Sequence, residues 1–208
     1  MLATAFTVGT QLFAQNDPNA KKILDAVSNK FKTIKALQAT YNLTVTNKAG
    51  KNAGTKSGTL LLKGQKYVIN DKSLQIYSDG KTTWRYEPEA NEVTTSPVDN
   101  SATGITPAKL FTNFYDKDFS YKLNGNKAVA GKQLAEIELT PTTKNKNYNK
   151  VYVYVDQTQN MIVSSKVVEN SGNSYNYSMS NLKTNVNLTD NQFVFDKSKH
   201  PGVEVIEQ

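Results

Sequence analysis

Two alternating segments joined by an Asp-Gly dipeptide constrain this chain more than any other part of its sequence. Apolar and polar side chains alternate along residues 74–77 and again along residues 82–86. Alternation with a period of two is typical of a β-strand that has one face against an apolar interior. Between the two segments, Gly80 can adopt the positive φ that a tight turn requires. The sequence therefore predicts a β-hairpin in which Trp84 and Tyr86 share the apolar face.

Further strand-like segments, some of them alternating, follow along most of the chain. They are Ala39–Thr46, Thr59–Lys63, Tyr67–Asn70, Glu92–Thr95, Phe119–Leu123, Ala135–Leu139, Val151–Val155, Met161–Val168 and Tyr175–Met179. Turn-forming residues separate them, and nothing between them resembles the helical crossover that parallel strands need. The pattern predicts a mainly β protein, built as a strongly curved antiparallel sheet or barrel.

Two segments have a helical pattern instead. Asp17-Pro18 is a favourable helix start, and Ile23, Val27 and Phe31 then recur at spacings of four residues. This predicts an amphipathic helix that ends near Ala36. A shorter helical insert is predicted after Thr106-Pro107, where Leu110, Phe111 and Phe114 provide its apolar side chains.

The first 14 residues differ from the rest because they carry no charge and are largely apolar. They resemble the hydrophobic part of a signal peptide, with cleavage expected after Ala14, although no basic segment precedes the apolar run. Residues 15–208 then form a single domain of an exported protein. The chain has no cysteine. This excludes disulfides, thiolate metal sites, cysteine nucleophiles and an N-terminal cysteine for lipidation.

No motif in the sequence indicates catalysis. The one histidine, His200, has no evident partner and is interpreted as an exposed loop residue. The carboxylate pairs Asp116/Asp118 and Glu136/Glu138 are best explained as solvated charges. The net charge of +7 is spread along the chain, and the loop at residues 144–150 is hydrophilic rather than a nucleic-acid site. We therefore expect no enzyme activity, cofactor, bound metal or nucleic-acid partner.

Apolar and aromatic side chains are more numerous than a one-layer sheet needs. They could fill a packed core or leave a cavity for an apolar ligand, and the residue pattern alone does not separate these alternatives. Several segments, however, resemble one protein family in chain order: Ser78–Pro88 above all, then Phe31-x-x-Ile34, Leu37–Tyr41, Gly58–Lys63, Thr106-Pro107, Phe193–Phe195 and His200–Val203. On these segments the chain resembles the periplasmic outer-membrane lipoprotein carrier proteins, the LolA family.

The resemblance implies an unclosed β-barrel whose concave face is covered by an α-helical lid. It implies a soluble, monomeric periplasmic carrier that receives acylated lipoproteins from an inner-membrane ABC transporter and delivers them to the outer membrane, with or without an acceptor there. One departure stands out: Gly64-Gln65 occupies the place where the family typically has Arg-Pro, whose arginine is associated with keeping the lid closed. How the lid is held in this chain is therefore left open.

Alternation and the resemblance together give a set of expected site residues. The acyl cavity is expected to be lined by Tyr41, Leu43, Val45, Leu60, Leu62, Val68, Leu74, Ile76, Trp84 and Tyr86. The lid is expected to contribute Ile23, Val27, Phe31, Leu110, Phe111 and Phe114. Leu62→Glu is then expected to abolish acyl binding while leaving the sheet folded. A lipid- or lipoprotein-sensing module on the same fold is the main alternative function, and an enzyme acting on envelope lipids is a weaker one.

Overall fold

The computed structural model describes residues 16–98, 115–143 and 147–208. Its helices are α1 (Pro18–Lys32) and α2 (Tyr115–Asp118), and its strands are β1 (Leu37–Thr46), β2 (Asn52–Lys63), β3 (Lys66–Asn70), β4 (Gln75–Ser78), β5 (Thr82–Glu87), β6 (Glu92–Pro97), β7 (Phe119–Val129), β8 (Lys132–Pro141), β9 (Tyr148–Asp156), β10 (Met161–Glu169), β11 (Ser174–Thr184) and β12 (Glu204–Glu207). The expected signal peptide and the expected lid residues Leu110, Phe111 and Phe114 lie outside the described residues.

All twelve strands belong to one curved sheet in the order β12-β6-β5-β4-β3-β2-β1-β11-β10-β9-β8-β7. The predicted class, a mainly β protein with an unclosed and curved sheet, is confirmed, because β12 and β7 lie at opposite edges. Neighbouring strands are antiparallel except for β12, which pairs with β6 in parallel. The expectation of a wholly antiparallel sheet is therefore wrong at this one edge, where the C-terminal segment returns to the sheet.

Helix α1 covers the concave face of the sheet. Asp17 caps it by accepting hydrogen bonds from the backbone N–H groups of Asn19 and Ala20. The apolar stripe of the helix is centred on Ala20, Leu24 and Val27. These residues pack in one cluster with the inward residues of β7–β10 and with four residues of β1 and β2: Leu37, Ala39, Leu60 and Leu62. The lower part of the concave face, where β1 begins, is thus a packed core.

The convex face has an apolar layer of its own. Residues 185–203, here called the C-terminal strap, leave β11 and run back over β2–β6 to reach β12. Phe193 of the strap packs with Val68, and Phe195 and Val203 pack with Tyr86 and Val93. At its start, Asp190 is held by the ammonium groups of Lys63 and Lys66, each 2.8 Å from a carboxylate oxygen. The strap turns one half of the convex face into a second core.

Candidate functional site

The ten residues expected to line a cavity fall on two different faces of the sheet. Residues that oppose each other directly in an antiparallel pair point to the same side. Leu37 opposes Leu62, and Ala39 opposes Leu60, on the concave side under α1. Tyr41, Leu43, Val45 and Ile76 are on that side as well, by the alternation of β1 and by the pairing of Ile76 with Ile69, which opposes Leu60.

Val68, Trp84 and Tyr86 are on the convex side, so their assignment to the cavity is wrong. Tyr67 opposes Leu62 and Ile69 opposes Leu60, which turns the intervening Val68 outward. Tyr77 opposes both Val68 and Trp84, and Tyr86 lies two residues beyond Trp84. All three assigned residues are covered by the C-terminal strap instead. Leu74 lies in the turn between β3 and β4, where its N–H group donates to Asp71.

The upper part of the concave face, towards the β1–β2 turn, carries a strip of apolar and aromatic side chains that is interrupted at β2, where Gly54, Lys56 and Gly58 occupy the same face. Tyr41, Leu43 and Val45 of β1 oppose Met179, Tyr177 and Tyr175 of β11. Ile69 and Ile76 continue the strip across β3 and β4. We call these eight residues the concave trough. Tyr41, Ile69, Ile76 and Met179 are partly buried and pack against the core below, whereas 39% of the surface of Tyr177 is accessible.

Tyr177 shows what kind of surface the trough is. Burial raises the pKa of its phenol, although more than a third of the side chain is accessible. Both observations fit a side chain that is surrounded by protein on most sides and open to one side. Tyr41 differs, because burial and the carboxylate of Asp71 together raise its pKa. A surface of this kind can remove apolar groups from water but offers no group poised for proton transfer at neutral pH.

A polar network fixes one rim of the trough. The hydroxyl of Tyr41 donates to Asp71 Oδ2 at 2.5 Å, while Asp71 Oδ1 accepts from both the N–H and the hydroxyl of Ser73. The ammonium group of Lys56 donates to the Ser73 hydroxyl at 2.9 Å. Burial alone would raise the pKa of Asp71, but the hydrogen bonds from Tyr41 and Ser73 outweigh it and hold that pKa below its ordinary value. Sequence reasoning missed Asp71, because a turn aspartate gives no sign of a partner 30 residues away.

The helical cover is tied to the β7 edge of the sheet by side chains of its first turns. Asp17 Oδ2 accepts the N–H of Leu123 at 2.9 Å, and Asn16 Oδ1 accepts the N–H of Tyr121 at 3.1 Å. Farther along α1, Asp25 accepts from the hydroxyl of Tyr115 at 2.8 Å. The N–H of Leu123 lowers the pKa of Asp17 most strongly, followed by that of Asn19. The carboxylates of Asp17 and Asp25 therefore tie the helix to the sheet edge while they are ionised.

The expected lid residues on α1 do face the sheet. Val27 is buried, while Ile23 and Phe31 are half-buried and pack at the edge of the same cluster. Ala20 is fully buried and was missed, because a small side chain contributes little to an apolar stripe.

Two of the open pockets formed by described residues lie outside the trough. One of about 410 Å³ lies at the β-bulge between β1 and β11, lined by Gln38, Ala39, Thr40, Thr59, Asn181, Leu182 and Lys183. The other, of about 380 Å³, lies on the outer surface of α1. The first is lined mainly by polar groups, whereas Pro18 and Ala26 contribute apolar surface to the second.

Side chains that could ligate a metal ion are not gathered anywhere in the described part of the chain. No three His, Asp or Glu side chains there are placed to hold a metal ion. His200 is half-buried, with its ring stacked on Phe195 at a centroid distance of 4.6 Å and lying 4.3 Å from Tyr86. The expectation that it is an exposed loop residue is wrong, and it serves as an aromatic packing element of the strap.

A family model described as "Outer membrane lipoprotein carrier protein LolA" matches residues 32–196. The chain belongs to the LolA family. It is 31% identical over 179 residues to an outer-membrane lipoprotein carrier protein of Haemophilus influenzae, with 84% of this chain and 82% of that protein covered. It is 30% identical to the protein of the same name from Pasteurella multocida, over 88% of this chain and 85% of the relative. These relatives are named as carriers and not as enzymes.

The fold of this LolA-family chain also matches a solved structure. An uncharacterized conserved protein from Thermus thermophilus superposes with a TM-score of 0.62 at 12% identity, covering 91% of this chain and 99% of the other. At that identity the likeness concerns the fold alone. Among the described residues, no helix is both long and apolar enough to cross a membrane.

Gly64-Gln65 lies in the turn between β2 and β3. Gly64 adopts a φ of 60° there, a conformation that favours glycine. In this LolA-family chain, the contacts of Asp17 and Asp25 with β7 and α2 hold the helical cover.

Proposed function

We propose that this protein is a periplasmic carrier that binds the acyl chains of lipoproteins in the concave trough. The observation that carries the proposal is the trough itself: eight apolar or aromatic side chains from four strands form a partly exposed strip on the covered side of the sheet. Membership of the LolA family supports the choice of lipoproteins as cargo. In this proposal the carrier receives its cargo from an inner-membrane ABC transporter and delivers it to the outer membrane.

Partial exposure of the trough suits a carrier better than full enclosure. Burial of a methylene group contributes about 0.8 kcal/mol, so one fully enclosed fatty chain would contribute about 12 kcal/mol. Release from such a site would be very slow. A trough that leaves part of the chain in water binds less tightly, and a membrane that buries the chain completely can then take it up. Transfer to the outer membrane needs no catalytic group on the carrier.

Two adjacent positions on β1 provide the test of the binding surface. Leu43 is in the trough, and Thr44 is on the opposite face, where it pairs with Thr55 and Asn176. Leu43→Glu should reduce binding of a fluorescent fatty acid at least tenfold, because the apolar strip then carries a charge. Thr44→Glu should leave binding unchanged. Equal binding by both variants and the unmodified protein would refute the trough as the site.

Carrier function is tested by release. The purified protein is incubated with inner-membrane vesicles or spheroplasts and ATP, and the soluble fraction is examined for lipoprotein in complex with it. Appearance of that complex supports a carrier. Binding of fatty acid without release of lipoprotein would instead identify a module that senses lipids or lipoproteins.

A further inference from the structure

The β1–β2 hairpin projects beyond the strands on one side of it. β2 begins at Asn52, but β3 pairs only with its residues 59–63. Residues 52–58 of β2 therefore pair with β1 alone among the described strands, and residues 52–57 are exposed. The turn of this hairpin is held by hydrogen bonds between Asn47 and Lys51. It is an ordered projection at the upper end of the sheet.

All the charged side chains of this projection are lysines. Residues 26–70 contain eight lysines and no aspartate or glutamate. Lys63 and Lys66 at the lower end pair with Asp190. Lys48, Lys51 and Lys56 on the hairpin are exposed, and none of them forms an ion pair with a described carboxylate.

Two neighbouring turns complete the surface. The hydrogen bond from Lys56 to Ser73 brings the β3–β4 turn, with the exposed Lys72, against the hairpin. On the other side, the β10–β11 turn is close enough that a Cβ at Gly172 would lie 3.0 Å from Lys48 Cβ. We call Lys48, Lys51, Lys56 and Lys72 the lysine rim.

Carboxylates near the lysine rim offset only part of its charge. Asp71 keeps its negative charge while it accepts from Tyr41, Ser73 and Leu74, and Glu169 lies at the end of the neighbouring β10. Four lysines therefore stand against two carboxylates, and the net charge of the rim stays positive. Glu87, Glu89 and Glu92 belong to the β5–β6 hairpin, at least three strands from β2 in the sheet. At about 4.8 Å per strand they are about 15 Å from β2, beyond the screening length of about 8 Å at physiological ionic strength. Glu87 is nearer to the β3–β4 turn that carries Lys72, because Tyr86 opposes Gln75, but it pairs with Arg85 at 3.1 Å.

The lysine rim adjoins the open end of the trough. Val45, the last trough residue of β1, opposes Gly54, and Leu43 opposes Lys56 on the same face. We propose that the lysine rim docks the protein on an anionic lipid surface, with the upper end of the trough towards the headgroups. The docking rests on the proposed carrier function for its purpose, because an acyl chain that enters or leaves a membrane must cross this boundary. The occupant is the lipid headgroup layer, whose phosphates complement ammonium groups.

Vesicle sedimentation tests the docking. The full chain is mixed with vesicles of phosphatidylcholine, with or without about 30% phosphatidylglycerol, and the bound fraction is measured. Binding should require the anionic lipid and should be lost at about 0.5 M salt. Lys48→Gln/Lys51→Gln/Lys72→Gln should weaken binding by about fivefold for each lysine removed, or roughly a hundredfold in total. These three side chains lie outside the trough.

The matched control removes three exposed lysines elsewhere: Lys127→Gln/Lys183→Gln/Lys197→Gln. It has the same net charge as the first variant and should keep most of the binding. Equal loss of vesicle binding in both variants would overturn the docking site, because net charge alone would then explain the binding. Equal binding to vesicles with and without phosphatidylglycerol would also overturn it. Inhibition by about 10 mM inorganic phosphate at constant ionic strength would also overturn it, by showing a site for free phosphate.

A second readout separates this proposal from the carrier proposal. Fatty-acid binding in solution should be the same for the rim variant and the unmodified protein. Loss of vesicle binding with retained fatty-acid binding supports the docking site. Retained vesicle binding by the rim variant refutes the docking site whatever happens to fatty-acid binding, whereas failure of Leu43→Glu to affect fatty-acid binding refutes the trough alone.

Discussion

A Cβ atom at Gly58 would lie 2.1 Å from the carbonyl oxygen of Asn70. The same atom would lie 2.8 Å from Cε1 of Tyr41, whose ring therefore occupies the space above the glycine. Gly58 stands directly opposite Tyr41 in the β1–β2 pair. The absence of a side chain thus allows β3 to approach β2 at the point where its pairing ends and allows the Tyr41 ring to reach Asp71.

Gly58→Ala should destabilise the protein by about 2 kcal/mol, because the new methyl group meets backbone that cannot move without breaking the β2–β3 pairing. The midpoint of urea denaturation measures the change. Gly54→Ala is the control, since no atom lies within 4 Å of a Cβ there. It should alter stability by less than about 0.5 kcal/mol. Equal effects at the two positions would contradict the close approach.

Tyr41→Phe should cost about 1 kcal/mol, because it leaves a partly buried carboxylate with one donor fewer. It should also raise the pKa of Asp71, since the hydrogen bond from Tyr41 lowers it. NMR titration of the Asp71 carboxyl measures the pKa. A double-mutant cycle with Asp71→Asn measures the coupling free energy, and additive effects of the two changes would show that the pair does not interact.

Leu62→Glu, expected from sequence to spare the fold, should instead prevent folding or destabilise it by several kcal/mol. Leu62 is 1% exposed, and a carboxylate cannot be placed in that cluster without losing its hydration. Leu43→Glu in the partly exposed trough should keep the far-UV circular dichroism of the unmodified protein. If Leu62→Glu were as stable as Leu43→Glu, the core under α1 would be looser than the structure indicates.

Phe193→Ala should destabilise the protein by about 3–5 kcal/mol, because its fully buried ring fills the space between the strap and β3. Fatty-acid binding by the folded fraction should not change, since the residue is on the convex side. Calorimetry measures the first effect and fluorescence titration the second. If fully folded Phe193→Ala protein bound fatty acid much more weakly, the binding site would lie under the strap instead of in the trough.

Asp190→Asn should lower stability at neutral pH but have little effect in acid. The ammonium groups of Lys63 and Lys66 lower the pKa of Asp190 to about 2, from an ordinary value of 3.8. A lowered carboxyl pKa stabilises the fold above about pH 4, and this contribution is lost as the pH falls to about 2. The difference in urea midpoint between the two proteins should therefore shrink from about pH 5 to about pH 2.

Glu89→Gln is the control for this pH dependence, because Glu89 is exposed and forms no ion pair with a described residue. Glu89→Gln should change the urea midpoint little at about pH 5 and at about pH 2. A difference between Asp190→Asn and the unmodified protein that stays constant down to about pH 2 would contradict the ion pairs with Lys63 and Lys66.

Local signals in the sequence are sufficient to predict the helix and strands of this fold. Asp17-Pro18 predicts the start of α1, and the structure begins the helix at Pro18 with Asp17 as its cap. Alternation along residues 39–46 predicts a strand that the structure gives as Leu37–Thr46. These signals depend on neighbouring residues alone, since capping and the period of a strand are set within a few positions. The resemblance to the LolA family likewise needed only short segments such as Ser78–Pro88.

By itself, then, the sequence determined that the chain is a curved sheet with a helical cover, and that Trp84 and Tyr86 lie on one face of it. Only the tertiary structure decided which face that is. Alternation separates the two sides of a strand but does not say which side meets the helix and which meets the strap. The answer depends on Phe195 and Val203, more than 100 residues along the chain, which cover the convex aromatic side chains and leave the trough to Tyr41, Leu43 and Val45.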